Sequence, residues 1–155
     1  MNLYVPLHNH SDHSFLDGLQ SVSSMAARAK DLGQKAIALT DHQEVSGHLR
    51  FQKECLKHEV KPLFGMEGYL FHDVEEARQK KLKASDNSHI TLVAKSEKGL
   101  RNLWAWSSEA YTRNFYHRAN MDWESVKPYT EDIWATDGCF AGEERFSTVE
   151  GTKTF

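Results

Sequence analysis

The sequence is poor in cysteine, in long apolar runs and in net charge, and each shortage excludes a class of protein. Its two cysteines, Cys55 and Cys139, lie far apart and match no disulfide framework, so we expect both to be thiols. No apolar run approaches the length of a membrane span, and no charged segment leads into an apolar leader. We therefore expect a cytoplasmic protein without membrane partners. The formal net charge of −3 argues against a non-specific nucleic-acid binder of the basic-patch kind, although a metal site can bind phosphate without an excess of lysine and arginine.

Histidine, by contrast, is abundant, with nine residues in 155. Residues 7–18 (LHNHSDHSFLDG) contain three histidines and two aspartates. The residues just before them have the character of a short strand, in which side chains alternate between faces. His8 and His10 would then share one face while Asn9 points to the other. Two imidazoles on one face can chelate one ion, although a solvated histidine-rich segment is the alternative.

Strand and helix patterns alternate along the rest of the chain. Capping hydroxyls at 21–24, spaced apolar residues and a closing Gly33 predict the first helix. Further strands are predicted at 35–40, 60–71, 88–94 and 133–136, and further helices at 45–58, 73–83, 97–111 and 122–126. This alternation predicts an α/β fold with about five parallel strands, in an open sheet or a barrel.

Candidate ligands fall at the ends of these strands: His8 and His10, His42, Glu67, His89, and Cys139. A barrel gathers a site from many strands, whereas an open sheet concentrates its chemistry at one switch point. We therefore predict a barrel, although a closed one needs about 200 residues or more.

Each candidate also has an ordinary structural interpretation. Glu67 is the most informative residue outside the opening stretch, because a carboxylate inside an apolar strand is costly unless it is paired or coordinated. His42 could be a core histidine, His89 could cap its strand, Cys139 could be a small core residue and Asp17 an ordinary turn residue. The remaining histidines outside the opening stretch are predicted at the surface: His48, His58, His72 and His117.

Four motifs resemble the polymerase and histidinol phosphatase (PHP) domain: residues 7–18, 38–42 (ALTDH), 62–67 (PLFGME) and 89–95 (HITLVAK). Their order and spacing are similar to those of the version at the N-terminus of the bacterial DNA polymerase III alpha subunit. The resemblance to this version extends to residues 99–103, 115–118 and 137–143. The resemblance predicts a partial PHP domain over residues 1–143 and a polar tail over 144–155.

The resemblance implies a distorted (βα)₇ barrel, incomplete at the C-terminus, with up to three metal ions and phosphoesterase activity. In active polymerase relatives this activity is a 3′–5′ exonuclease. The implied ligands are His8, His10, Asp17, His42, Glu67, His89 and Cys139, with Asp41 supporting them. The late aspartate and histidine ligands of the family have no counterpart here, so we expect little or no hydrolysis by this chain alone.

The ligand mixture suits zinc, with manganese or iron at oxygen-rich positions. One hypothesis is an enzyme segment that acts on phosphoesters, above all the 3′ end of DNA. A second is a non-catalytic docking module of a replicative polymerase, and a third is a small-molecule phosphatase of the histidinol-phosphate type. We also expect a partner chain, either a polymerase or a polypeptide that supplies the remaining barrel strands.

Overall fold

Four of the five predicted strands and all of the predicted helices are present in the computed structural model, which describes residues 4–137. The helices are α1 (Val22–Asp31), α2 (His48–Lys57), α3 (Val74–Gln79), α4 (Glu97–Thr112) and α5 (Trp123–Val126). The strands are β1 (Ala36–Leu39), β2 (Lys61–Leu70), β3 (Ser88–Ala94), β4 (Phe115–Tyr116), β5 (Arg118–Ala119) and β6 (Ile133–Thr136). Short 3₁₀ helices occupy Ala84–Asp86 and Lys127–Tyr129. The predicted tail, 144–155, lies outside the described residues.

The main sheet is mixed rather than parallel, so the prediction of about five parallel strands was wrong. Its order is β1-β2-β3-β6, and β4 and β5 form a separate two-stranded hairpin. Only β1 and β2 pair in parallel, whereas β2 with β3 and β3 with β6 are antiparallel.

The connection after β2 explains the reversal of direction. Leu70, the last residue of β2, lies opposite Ser88, the first of β3, so the connection joins adjacent ends. The six residues of α3 rise about 9 Å, whereas the ten residues of β2 span about 33 Å. A helix of this length is too short to return the chain to the opposite end of the sheet, as a parallel strand would require. The alternation of helix and strand patterns in the sequence does not reveal this.

The opening segment lies beside β1 without forming a regular strand. Ala38 and Thr40 donate backbone hydrogen bonds to Pro6 O and Asn9 O at 3.0 and 2.9 Å. The two donors, Ala38 and Thr40, are two residues apart, whereas the two acceptors in the opening segment are three residues apart. The opening segment therefore contains one residue more than the β1 side between the two hydrogen bonds, which interrupts regular strand pairing. The side-chain amide of Asn9 donates to Pro6 O and Ala38 O instead. Asn9 therefore faces β1, away from the histidines on either side of it.

Two of the apolar clusters in the described residues hold the helices against the main sheet. The first joins α1 and α2 to β1, and its fully buried members include Met25, Leu39 and Phe51. Cys55 lies in the same cluster as a free thiol, and burial raises its pKa to about 12. The second packs α4 onto β2 and β3 and includes Met66, Leu92, Leu103, Trp106 and Met121. Each fully buried side chain of this size stabilises the fold by about 1.5–3 kcal/mol.

His48 is buried at 4% exposure, so its prediction as a surface residue was wrong. Its Nε2 donates to Gly65 O at 2.9 Å, and its Nδ1 accepts from Trp104 Nε1 at 3.2 Å. Both partners are distant in sequence, so no local pattern marks the pairing. Burial lowers the pKa of His48 and the two hydrogen bonds satisfy its neutral form. Of the other three, His58 is half-buried, and His72 and His117 are exposed.

Within residues 4–137, none of the helices has the length and apolarity that a bilayer crossing requires.

Candidate metal centre

The predicted ligands converge on Glu67, a carboxylate in β2 whose side chain is only 1% exposed. Glu67 Oε2 lies 2.7 Å from His8 Nε2 and 2.8 Å from His10 Nε2, and Oε1 lies 2.6 Å from His89 Nδ1. His42 provides the fourth imidazole, with Nδ1 3.5 Å from Oε2. A buried carboxylate is thus surrounded by imidazoles from three parts of the chain.

The sheet explains why these side chains meet. His42 forms an isolated parallel bridge with Glu67, in the register that β1 and β2 already share. On the other side of β2, Thr91 lies opposite Glu67 and His89 lies opposite Tyr69. Residues two apart in a strand share a face, so His89 lies diagonally across from Glu67 on the face that carries the cluster.

Asp17 lies at the exposed rim of the cluster, with 57% of its side chain accessible to solvent. Its Oδ2 is 3.0 Å from His42 Nε2 and 3.8 Å from His10 Nδ1. Among residues 4–137, three overlapping groups have donor atoms within 4.8 Å of one another: His8, His10 and Glu67; His10, Asp17 and His42; His42, Glu67 and His89. The structure therefore brings together every predicted ligand except Cys139, which lies outside the described residues.

The chemistry of this donor set fits a divalent cation. His42 Nδ1 is buried without a hydrogen-bond partner among the described residues, which is costly unless another group binds it. His8 Nε2 and His10 Nε2 are 3.1 Å apart and both face one oxygen of Glu67. Two tetrahedral ligands of zinc, with bonds of about 2.1 Å, are separated by about 3.4 Å, close to this spacing. Burial also lowers the pKa of His42, which favours the neutral form that binds metals.

The buried carboxylate of Asp41 contacts two serines rather than the side chains of the cluster. Its Oδ1 accepts hydrogen bonds from Ser11 N and Ser14 Oγ, both at 2.6 Å, and its Oδ2 accepts from Ser11 Oγ at 2.7 Å. Ser14 Oγ in turn lies 2.9 Å from His10 Nδ1. Asp41 therefore supports a candidate ligand indirectly. Ser14 was not identified from the sequence, because nothing in its spacing distinguishes it from its neighbours.

Tyr69 and Arg118 also adjoin the cluster and were missed. The Tyr69 ring stacks on His42 at 5.5 Å between centroids and lies 4.7 Å from His89. The Arg118 guanidinium lies 3.8 Å above the same ring. Burial raises the pKa of Tyr69 to about 12, so the phenol remains neutral. Strand alternation from Glu67 could have indicated Tyr69, whereas Arg118 comes from the distant β4–β5 hairpin and carries no such signal.

Comparisons with protein families and with individual proteins relate this chain to the PHP domain and to DNA polymerase III alpha subunits. A family model described as the PHP domain matches residues 6–151. The DNA polymerase III subunit alpha of Treponema pallidum is 35% identical over 150 residues, which are 97% of this chain and 13% of that protein. The same subunit of Borreliella burgdorferi is 34% identical over 139 residues, which are 90% of this chain and 12% of that protein. This chain therefore spans about an eighth of the length of these relatives.

Among solved structures, an amidohydrolase from Chromobacterium violaceum superimposes with a TM-score of 0.51 at 21% identity. The superposition covers 68% of this chain and 32% of the amidohydrolase. At this level of identity the likeness concerns the fold alone.

Proposed function

The chain belongs to the PHP domain family, and from this premise we propose that the cluster around Glu67 is a metal centre for phosphoester hydrolysis. The single observation that carries the proposal is the buried Glu67 carboxylate with four imidazole nitrogens 2.6–3.5 Å from its oxygens. The proposed ligands are His8, His10, Asp17, His42, Glu67 and His89, with Cys139 as a further one. Zinc suits this set best, and manganese or iron suits the more oxygen-rich positions, with up to three ions in all.

Bound divalent ions would polarise a phosphoryl oxygen and lower the pKa of an attacking water. Solvent exposure increases across the centre, because Glu67 is buried whereas Asp17 is largely exposed. A phosphate group would therefore approach from the Asp17 side. Neutral His42 and the neutral Tyr69 ring stacked on it form one wall of the centre.

We propose the 3′ end of DNA as the substrate and 3′–5′ exonucleolytic hydrolysis as the reaction, because the curated relatives are replicative polymerase subunits. The net charge of −3 does not by itself attract a polyanion. Recognition would then depend on the cations and on a polymerase partner that carries the rest of the DNA-binding surface.

A second candidate is a docking module within a replicative polymerase. It is favoured by an apolar groove of about 530 Å³, whose lining residues include Val5, Phe64, Leu100 and Trp134. None of the residues that line it is a candidate ligand, and Trp134, on β6, is 54% exposed. Further strands of a partial barrel, supplied by a partner polypeptide, would cover such a surface.

Elemental analysis of the purified protein, followed by a nuclease assay, tests these candidates. We expect zinc, manganese or iron to copurify, and little but measurable release of nucleotides from the 3′ end of single-stranded DNA. Glu67→Gln should lower that rate by about 10²-fold or more, because it removes a charge that positions the ions. Preferential turnover of a phosphomonoester would indicate the histidinol-phosphate type of phosphatase. Metal binding without any turnover would favour the docking module, and absence of metal would contradict the proposed centre.

A further inference from the structure

A chain of hydrogen bonds connects the buried carboxylate of Asp41 to one nitrogen of His10. Asp41 accepts from both Ser11 and Ser14, and the contact from Ser14 Oγ to Asp41 Oδ1 is 2.6 Å. An ionised carboxylate can only accept hydrogen bonds. The hydroxyl proton of Ser14 must therefore point towards Asp41.

Ser14 then has no proton left to donate, because a hydroxyl carries only one. Its oxygen accepts from the backbone N–H of His42 at 3.1 Å and lies 2.9 Å from His10 Nδ1. The contact with His10 is a hydrogen bond only if Nδ1 carries the proton. In a neutral imidazole, the lone pair then lies on Nε2.

The lone pair on His10 Nε2 faces the other side chains of the cluster. His10 Nε2 is 2.8 Å from Glu67 Oε2 and 3.1 Å from His8 Nε2. A lone pair facing a carboxylate oxygen at this distance is repulsive unless a proton or a metal ion is shared by the two atoms. In this tautomer His10 Nδ1 donates its hydrogen bond to Ser14 Oγ. Nδ1 therefore has no lone pair with which to bind an ion near Asp17, although it lies 3.8 Å from Asp17 Oδ2.

We propose that Ser14, held by Asp41, is a positioning residue that fixes His10 in its Nδ1–H tautomer and presents Nε2 to the ion shared with His8 and Glu67. The inference rests on the proposed function for the presence of that ion. Of the two donor groups that include His10, it assigns the residue to one. His42 and Asp17 would then hold their ion without His10.

The tautomer can be measured directly by ¹⁵N NMR of the histidine rings in the zinc-loaded, diamagnetic protein at pH 7.5. We expect a protonated Nδ1 and a coordinated Nε2 for His10. Coordination through Nδ1, or loss of the Nδ1 proton, would overturn the inference while leaving the metal centre intact. Failure to bind zinc would instead count against the proposed function. The ring spectrum of the metal-free protein would then test the tautomer alone, and a neutral Nε2–H form would refute it.

Two serine variants separate positioning from general stabilisation. Ser14→Ala removes the link between Asp41 and His10, whereas Ser11→Ala removes a comparable bond to Asp41 without touching His10. In competition with a chromophoric chelator, Ser14→Ala should weaken zinc binding by about 10- to 100-fold. Ser11→Ala should change it by no more than about threefold. Melting curves of both variants report any loss of folding, and equal losses of zinc affinity in two folded variants would contradict a specific role for Ser14.

Discussion

His42 Nδ1 and Glu67 Oε2 lie 3.5 Å apart across a parallel bridge that continues the pairing of β1 with β2. The bridge is held by backbone bonds from Glu67 N to Asp41 O and from Gln43 N to Glu67 O, at 3.0 and 2.8 Å. The main chain of the sheet therefore places His42, Glu67 and His89, three of the side chains that would bind metal. Folding of the sheet and assembly of the centre are one event, so metal should stabilise the whole fold.

Removal of metal should accordingly lower the melting temperature. A ligand present at about 100 times its dissociation constant adds roughly 2.7 kcal/mol to the free energy of unfolding. We expect a chelator to lower the melting temperature by several degrees, measured by circular dichroism or calorimetry. His8→Ala should remove most of this sensitivity. The control is His13→Ala, since His13 belongs to the same stretch but contacts Ser46 rather than Glu67, and a loss of chelator response in the control would contradict the assignment.

Glu67→Gln should be less harmful without metal than with it. Metal compensates the burial of the charged carboxylate, whereas a neutral amide needs no such compensation. The melting temperatures of wild type and variant, each with zinc and with chelator, give the coupling between charge and metal. Glu54→Gln provides the comparison, because Glu54 accepts from Ser23 away from the centre. A larger loss for Glu67→Gln in the metal-free protein would mean that Glu67 serves a protein partner instead.

The sequence indicated which side chains come together better than it indicated the topology of the sheet. Alternation around Asn9 predicted that His8 and His10 share one face, and both lie within 2.8 Å of Glu67. The cost of burying a carboxylate singled out Glu67, whose side chain is 1% exposed; that these residues bind metal stays a prediction. Both arguments depend on local geometry and solvation, which a sequence records. The direction of β3 depends on whether the connection after β2 returns to the opposite end of the sheet. The sequence pattern around α3 does not show that the helix is too short for this. The burial of His48 likewise depends on Gly65 and Trp104, which are distant in sequence.

Gly18→Ala should disrupt the loop that carries both His10 and Asp17. A methyl group at Gly18 would lie 1.7 Å from Ser11 O, and Gly18 N also donates to Ser14 O at 2.9 Å. Because backbone atoms cannot yield as a flexible side chain can, we expect destabilisation of about 1–3 kcal/mol and weaker zinc binding. Gly33→Ala is the matched control, since Gly33 has a φ of +67° and, apart from its chain neighbours, no atom of residues 4–137 lies within 4 Å of the added methyl group. It should cost about 1–2 kcal/mol through its backbone conformation alone and leave zinc binding unchanged.

Acidification should destabilise the protein through His48. Burial lowers its pKa in the folded state, whereas the unfolded residue takes up a proton near pH 6.5. Below about pH 6.5 the unfolded state therefore binds more protons, so the free energy of unfolding falls as the pH falls. One such histidine contributes a slope of at most about 1.4 kcal/mol per pH unit.

Urea denaturation between pH 8 and pH 5.5, with chelator present throughout, measures this slope. His48→Gln should be less stable than wild type at pH 8, because it loses packing, yet its stability should fall less steeply with acid. Part of the slope should persist, since burial also lowers the pKa of His42. The exposed His72 supplies the control, and His72→Gln should keep the wild-type slope. Parallel pH profiles for wild type and His48→Gln would show that the neutral form of His48 does not contribute to the acid sensitivity of the fold.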